Sequence, residues 1–207
     1  MNLSDYLPSL LESHIVTYYR ELLITSPHDI DLQAFAEKAT IMIHSIPKPS
    51  ATFGMHHRYV IAIDNRLPRQ LQRVQLAHEL GHVLLHSGRQ EWMPEDSRQR
   101  QEYQADRFAM YALMPTFMIA SCSLWGNRQQ IATQLAEEFD VPETFATARL
   151  GLLEQRLGDL QAQRQMEERI REATTGYDYS YRHPLNPNIE YLVKDGDIVG
   201  QRRRADL

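Results

Sequence analysis

Cysteine is almost missing from this chain. The single one, Cys122, excludes an internal disulfide and any zinc cluster built on cysteines. A lone reduced thiol fits a cytosolic protein, and a cytoplasmic one is expected. Long apolar runs are missing too. No stretch approaches the roughly 20 residues that span a bilayer, so no membrane segment is expected. There is no basic excess: 22 Lys and Arg stand against 27 Asp and Glu, a formal net charge of -5. That balance gives no global pull toward nucleic acid. The opening residues, Met1-Asn2-Leu3-Ser4-Asp5-Tyr6, lack the basic start and apolar core of a secretory leader, and none is expected. No internal repeat or low-complexity tract occurs. What is present is ordinary for a soluble globular protein: 43% hydrophobic and 24% charged residues over 207 positions. Such a chain can bury one real core and carry a small appendage.

Apolar spacing predicts a helix from Leu3 to Leu23, with Leu7, Leu10, Leu11, Ile15, Tyr18, Tyr19, Leu22 and Leu23 recurring at helical intervals. Ser26-Pro27 breaks it. A short helix follows over Asp31 to Ala39. The period then changes. Thr40 to Ile46 reads as a strand stopped by Pro47 and Pro49, Thr52 to His56 as a second, and Arg58 to Ile63 as the clearest. Asp64-Asn65 turns the chain into a long helix between Pro68 and Gly88. Further helices are expected over Ser97 to Met114, Arg128 to Phe139, and Pro142 to about Arg171. In the tail, Tyr191-Leu192-Val193 and Ile198-Val199 flank Lys194-Asp195-Gly196-Asp197, a strong hairpin signal. The fold class is therefore α+β, mainly helical, with a small three-stranded sheet beside the long helix. Residues 1–173 are read as the main domain, with its core in 40–115 and supporting helices in 128–171. Residues 174–207 are read as a tail.

The chemistry concentrates at His78-Glu79-Leu80-Gly81-His82. Residues four apart share one helix face, so His78 and His82 can reach a single cation. Glu79, one step round, can meet a water on it. Leu76, Leu80, Val83, Leu84 and Leu85 surround the motif, which predicts a helix buried nearly all round. Gly81 costs about 1 kcal/mol relative to alanine in a helix, so its presence points to close approach by another backbone.

A catalytic zinc takes three protein ligands and a water. Glu102, on the following helix, is the candidate third ligand. Asp106 shares its face four residues on and can accept the other ring N–H of a ligand histidine, fixing its tautomer. Ala105 and Ala109 keep this face thin. Glu79 is the candidate general base, taking a proton from a metal-acidified water and returning it to a leaving amine. Tyr59, His57 and His183 are candidates for a donor to the carbonyl oxygen. The strand Arg58 to Ile63 is read as an open edge on which an extended peptide could lie. His86 continues the four-residue series but lies about 6 Å along a continuous helix beyond His82. It is read as a residue supporting the ligands and not as one of them. The pair His56-His57 is read as solvated or substrate-facing.

His78-Glu-Leu-Gly-His-Val-Leu-Leu-His86, followed by Glu102-Tyr-Gln-Ala-Asp-Arg-Phe-Ala109 and Leu113-Met-Pro115, resembles the ImmA/IrrE family of metallopeptidases. The resemblance is specific through residues 40 to 115 and looser through about 155. It implies a zincin-like fold and a soluble bacterial or phage protease that cleaves a helix-turn-helix repressor of a mobile element or stress response. By position, His78, His82 and Glu102 match the family's zinc ligands and Glu79 its catalytic glutamate. Some members carry an N-terminal DNA-binding domain; here the sheet begins by about residue 40 and leaves no room for one, so a repressor substrate is expected to be a separate protein. One zinc per chain is expected, although two histidines and a glutamate also suit manganese or iron.

Two other classes compete. Ile131 to Pro142 faintly resembles a helix-turn-helix, which would make the chain a DNA-binding regulator. From Asn127 to Leu160, however, three arginines face six acidic residues, the wrong balance for phosphate contact. The Arg202-Arg203-Arg204 run is read as a solvated tail, and no direct nucleic-acid binding is expected. A non-catalytic zinc protein is the other alternative. The presence of Glu79 argues against it, because a purely structural site has no use for a base.

Overall fold

The computed structural model describes residue 3 and residues 5–55, 58–86 and 94–203. The expected pair His56-His57, the loop residues Gly88 and Trp92, and Arg204 lie outside them. The chain divides into two compact units, Met1–Glu154 and Gln155–Leu207. The division falls inside a helix and not at the expected junction of 173 and 174. Residues 161–171 of that helix are all exposed.

In the larger unit, α1 (Leu10–Glu21) starts seven residues later than its apolar spacing predicted. Ser9 caps it: its hydroxyl accepts from the Glu12 N–H while Glu12 accepts from the Ser9 N–H. Such a reciprocal cap is worth about 1 kcal/mol and fixes the start where periodicity alone cannot. A short 3-10 turn (Pro27–Asp29) and α2 (Leu32–Lys38) follow, α2 being capped by Asp31. Next come β1 (Ile41–Ile46), β2 (Ala51–Met55), β3 (Arg58–Asp64), α3 (Arg69–Leu85), α4 (Glu95–Leu113) and α5 (Thr116–Ser121). After them come α6 (Arg128–Phe139) and α7 (Glu143–Thr175). The short α5 was not anticipated. Pro115 does end α4, but its extended backbone then opens a new helical turn.

The sheet has the order β1-β3-β2, with β1 parallel and β2 antiparallel to β3. The strand expected to offer an open edge, Arg58 to Ile63, is therefore the central one, hydrogen-bonded on both sides. The edge beside α3 is β2. Cross-strand partners share a face, so the row Ile43, Ile61 and Thr52 lies on one side and the row Met42, Val60 and Phe53 on the other. Ile61 is fully buried, whereas Met42 and Phe53 are exposed. The first side is thus the one covered by α3, which packs on β3 and β2 and, across its other flank, on α4.

The α3–α4 contact positions the site. Ala77, Leu80 and Gly81 form the buried face of α3, meeting Ala105, Phe108 and Ala109 of α4. A methyl on Gly81 would lie 3.0 Å from Ala105 Cα, so the close approach expected from that glycine is present. The helix is not buried all round, contrary to the expectation from its apolar residues. Leu84 and Leu85 are exposed, because the last turn passes beyond what packs on it among the described residues. Around the sheet, Phe35 meets Phe108 edge-on at 5.9 Å, and the Tyr19 hydroxyl bonds the Ala112 carbonyl. On the far side, α6 and the first half of α7 give Ala132, Leu135, Phe139, Ala146, Leu150 and Leu153 to the same core.

A second polar knot lies inside this unit. Arg149, fully buried, donates from Nε to the Met114 carbonyl at 3.0 Å and from Nη2 to Thr116 Oγ1 at 2.7 Å. It faces Glu12 at 3.4 Å. Burial pushes the Glu12 carboxyl up, but hydrogen bonds from Thr116, Ser9 and Tyr6 and the charge of Arg149 outweigh it and hold it below its ordinary value.

In the smaller unit, β4 (Tyr179–His183), β5 (Asn186–Lys194) and β6 (Asp197–Arg203) form an antiparallel sheet. The predicted hairpin is β5–β6, turning at Asp195 (φ 54°) and Gly196 (φ 93°). Two successive positive φ values are what a two-residue Asp-Gly turn supplies. The third strand, β4, went unread because its five residues, Tyr-Ser-Tyr-Arg-His, carry no aliphatic side chain.

Candidate metal centre

Local chemistry makes α3 a helix, with no proline or β-branched cluster between Arg69 and Leu85, and the four-residue spacing does the rest. His78 and His82 turn their Nε2 atoms toward each other, 2.9 Å apart. From α4, Glu102 brings one carboxylate oxygen to 3.3 Å from His78 Nε2 and the other to 3.5 Å from His82 Nε2. These donor atoms all lie within 4.8 Å of one another. Atoms bound at about 2.1 Å to a tetrahedral cation lie roughly 3.4 Å apart, so these separations, with one Glu102 oxygen near each histidine, are of the size that one divalent ion needs. The donor set also fits: two neutral imidazoles and a carboxylate supply three lone pairs and one negative charge, which suits zinc, manganese or iron. The histidines are half-buried and the Glu102 side chain is 46% accessible, so one side of the triangle stays open to solvent.

The ring nitrogens on the other side are also engaged. His78 Nδ1 lies 2.9 Å from Asp106 Oδ1. A carboxylate can only accept, so the proton sits on Nδ1 and Nε2 keeps its lone pair. His82 Nδ1 lies 3.2 Å from His86 Nδ1, and His86 Nε2 lies 2.9 Å from Gln104 Oε1. Burial and the neighbouring His78 lower the His82 imidazole below its ordinary value, which favours its neutral form. His86 is not on a continuous helix. It is the first residue beyond α3, with extended backbone (φ -120°), and its ring folds back onto His82.

Glu79 accepts a hydrogen bond from Thr52 Oγ1 at 2.6 Å. Thr52 comes from edge strand β2, on the face that α3 covers. Sequence reasoning missed it, because nothing local marks that threonine; only the register Thr52↔Ile61 places it over the helix. Gln104 was missed as well. Of the three residues considered as donors to a carbonyl oxygen, His57 lies outside the described residues. Tyr59 packs its ring under Gly54. His183 belongs to the smaller unit, where it stacks on Tyr191 at 5.0 Å and accepts from the Leu185 N–H.

A histidine-bearing helix beside a small mixed sheet, faced by a second helix that supplies a glutamate, is a zincin-like α+β arrangement. Residues 36–151, more than half of the chain, match the peptidase family described as the IrrE N-terminal-like domain. The chain is 34% identical over 164 residues to the phage-like element PBSX protein XkdA of Bacillus subtilis (strain 168), covering 79% of this chain and 82% of that one. It is 29% identical over 154 residues to the uncharacterized protein YqaB of the same organism, covering 73% and 88%. The chain belongs to the ImmA/IrrE family of metallopeptidase-like domains. The matched span contains every residue of the centre described above. No helix among the described residues is long and apolar enough to cross a membrane.

Proposed function

We propose that this protein is a cytoplasmic zinc-dependent endopeptidase that cleaves a regulatory protein, a separate helix-turn-helix repressor of a mobile element or stress response. The observation that carries the reading is the convergence of His78, His82 and Glu102, with Glu79 held beside them by Thr52. The phage-element name of a relative supports the mobile-element setting. His78, His82 and Glu102 would hold one zinc ion. Bound there, it would acidify a water toward neutrality and polarise the scissile carbonyl.

The protein's own groups do the remaining work. Glu79 takes the proton of the attacking water and returns it to the leaving amine. The Thr52 hydroxyl fixes one Glu79 oxygen, so the carboxylate meets the water in a single rotamer. Asp106 holds His78 in the tautomer that presents Nε2. The extended substrate pairs with edge strand β2, next to Thr52, in place of the central strand. The fully hydrogen-bonded β3 offers no such place.

The test is incubation with a helix-turn-helix repressor encoded beside this protein, followed by mass analysis of the products and elemental analysis of the enzyme. The wild type should cut at a defined bond and carry one zinc. Glu79→Gln should keep the zinc and lose about 10²- to 10⁴-fold in rate. Glu102→Ala should lose the zinc. Undiminished cleavage by Glu79→Gln would sink the mechanism, and full zinc in Glu102→Ala would remove Glu102 from the ligands. A repressor bound but uncut by the wild type would favour a non-catalytic zinc protein.

A further inference from the structure

The two faces of edge strand β2 are unlike. On the side toward α3, the room is already taken. Thr52 donates to Glu79 there. Two residues on, Gly54 shares that face, and its cross-strand partner Tyr59 leans over it. A methyl on Gly54 would lie 2.8 Å from Tyr59 Cε1 and 3.0 Å from Cδ1, so the ring fills the space that a side chain at position 54 would use. On the opposite side, Phe53 stands at the middle of β2 with 60% of its surface exposed, and Met42, two strands away in the same row, is 50% exposed. No described strand pairs with the far edge of β2.

A peptide laid along that edge alternates its side chains between the two faces. The residue beside Thr52 turns inward to Glu79. The two residues flanking it turn outward, one beside Phe53 and the other beside Ala51. Side chains directly opposite on paired strands lie about 4.5–5.5 Å apart at Cβ, close enough to pack. Phe53 offers a whole ring to its neighbour, and Ala51 offers a methyl. The inner face therefore holds the chemistry, and the outer face holds the contact that can tell one side chain from another.

We propose that Phe53 is a specificity-determining residue, selecting substrates with a large apolar side chain next to the residue presented to Glu79. This rests on the peptidase reading of the site and on substrate pairing with β2. The preference is one-sided, because the position beside Ala51 meets no comparable surface. Met42 takes no part in it. From a strand added to β2, β1 is three strand steps of about 4.8 Å away, beyond the reach of a side chain beside Phe53. A partner helix lying across the whole outer face would touch Met42 and Phe53 alike, which separates that occupant from an added strand.

The experiment exposes a library of short peptides, randomised at every position, to the full zinc-loaded chain and reads the cut sites by mass spectrometry. The same library is passed over the full Glu79→Gln chain, where retention reports binding without turnover. The wild type should favour leucine, isoleucine or phenylalanine over serine by about fivefold in kcat/KM at one position within two residues of the cut, the upper range of a cross-strand pair. Phe53→Leu should keep that preference, which shows that the strand still folds. Phe53→Ser should flatten it, and Phe53→Lys should turn it toward aspartate and glutamate. Met42→Ser should leave it unchanged. An unaltered preference in Phe53→Ser, an equal loss in Met42→Ser, or cleavage with no apolar preference near the cut would overturn the proposal. If the wild type cut no peptide, the peptidase reading would fall. Retention on the Glu79→Gln chain would still decide the role of Phe53: apolar enrichment at one position, lost on adding Phe53→Ser, supports it, and any other pattern overturns it.

Discussion

Replacing Gly81 with alanine tests how tightly the two site-bearing helices are held together. The added methyl would lie 3.0 Å from Ala105 Cα, 3.1 Å from Phe108 Cβ and 3.2 Å from the Ala105 carbonyl oxygen. Carbon contacts relax at about 3.5–4.0 Å, so a gap of about half an ångström must open. None of the three atoms is the far end of a flexible side chain, so α4 itself has to move. Two energies oppose each other. Alanine is the better helix former by about 1 kcal/mol. An extra methyl in a closed contact costs about 1–3 kcal/mol. The expected net loss is about 1 kcal/mol, a melting temperature about 2–4 °C lower for a chain of this length. The site should suffer more. His78 and His82 ride on α3 and Glu102 on α4, so the 3.3 and 3.5 Å edges of the triangle widen with the helices. Zinc affinity should fall roughly tenfold, the scale of a disturbed supporting contact. Urea denaturation of the metal-free protein gives the first quantity and chelator competition the second. A variant about 1 kcal/mol more stable with unchanged affinity would refute the argument. Gly81 would then be only a poor helix former in a loose contact.

The buried Arg149 offers a second stability test. Arg149→Met leaves Glu12 buried without its cation and should cost about 3 kcal/mol by urea denaturation, the lower end for a broken buried pair because Thr116, Ser9 and Tyr6 still donate. Adding Glu12→Gln should recover part of that loss; no recovery would mean that Arg149 acts by packing alone. The same carboxylate sets an acid limb. Its folded value lies below the ordinary 4.5, so the stability it contributes is complete above about pH 4.5 and is lost as pH falls through the folded value. Glu12→Gln should flatten the fall in stability between about pH 5 and pH 3; an unchanged acid limb would place the responsible carboxylate elsewhere.

Sequence by itself determined whatever depends on near neighbours along the chain. The four-residue step of a helix put His78, His82 and the face of Asp106 and Glu102 in register, whatever packed around them. Two positive-φ residues fixed the turn at Asp195-Gly196. The rarity of glycine inside helices marked Gly81 as a contact point. These are short-range rules with few competing solutions. The third dimension decided everything set by strand order and facing partners. The clearest strand, Arg58 to Asp64, became the sheet's centre and not its edge, because β1 returned parallel to it while β2 closed the hairpin. Thr52 gained a place over Glu79 only through its pairing with Ile61. Leu84 and Leu85, apolar on paper, emerged exposed because burial depends on what lies opposite. Gln104, unremarkable between Glu102 and Asp106, met His86 only because that residue left the helix and folded back. An isolated residue's chemistry is written in its side chain, but its partner is chosen by register and packing across many residues, as Glu12 and Arg149 are joined across 137 positions.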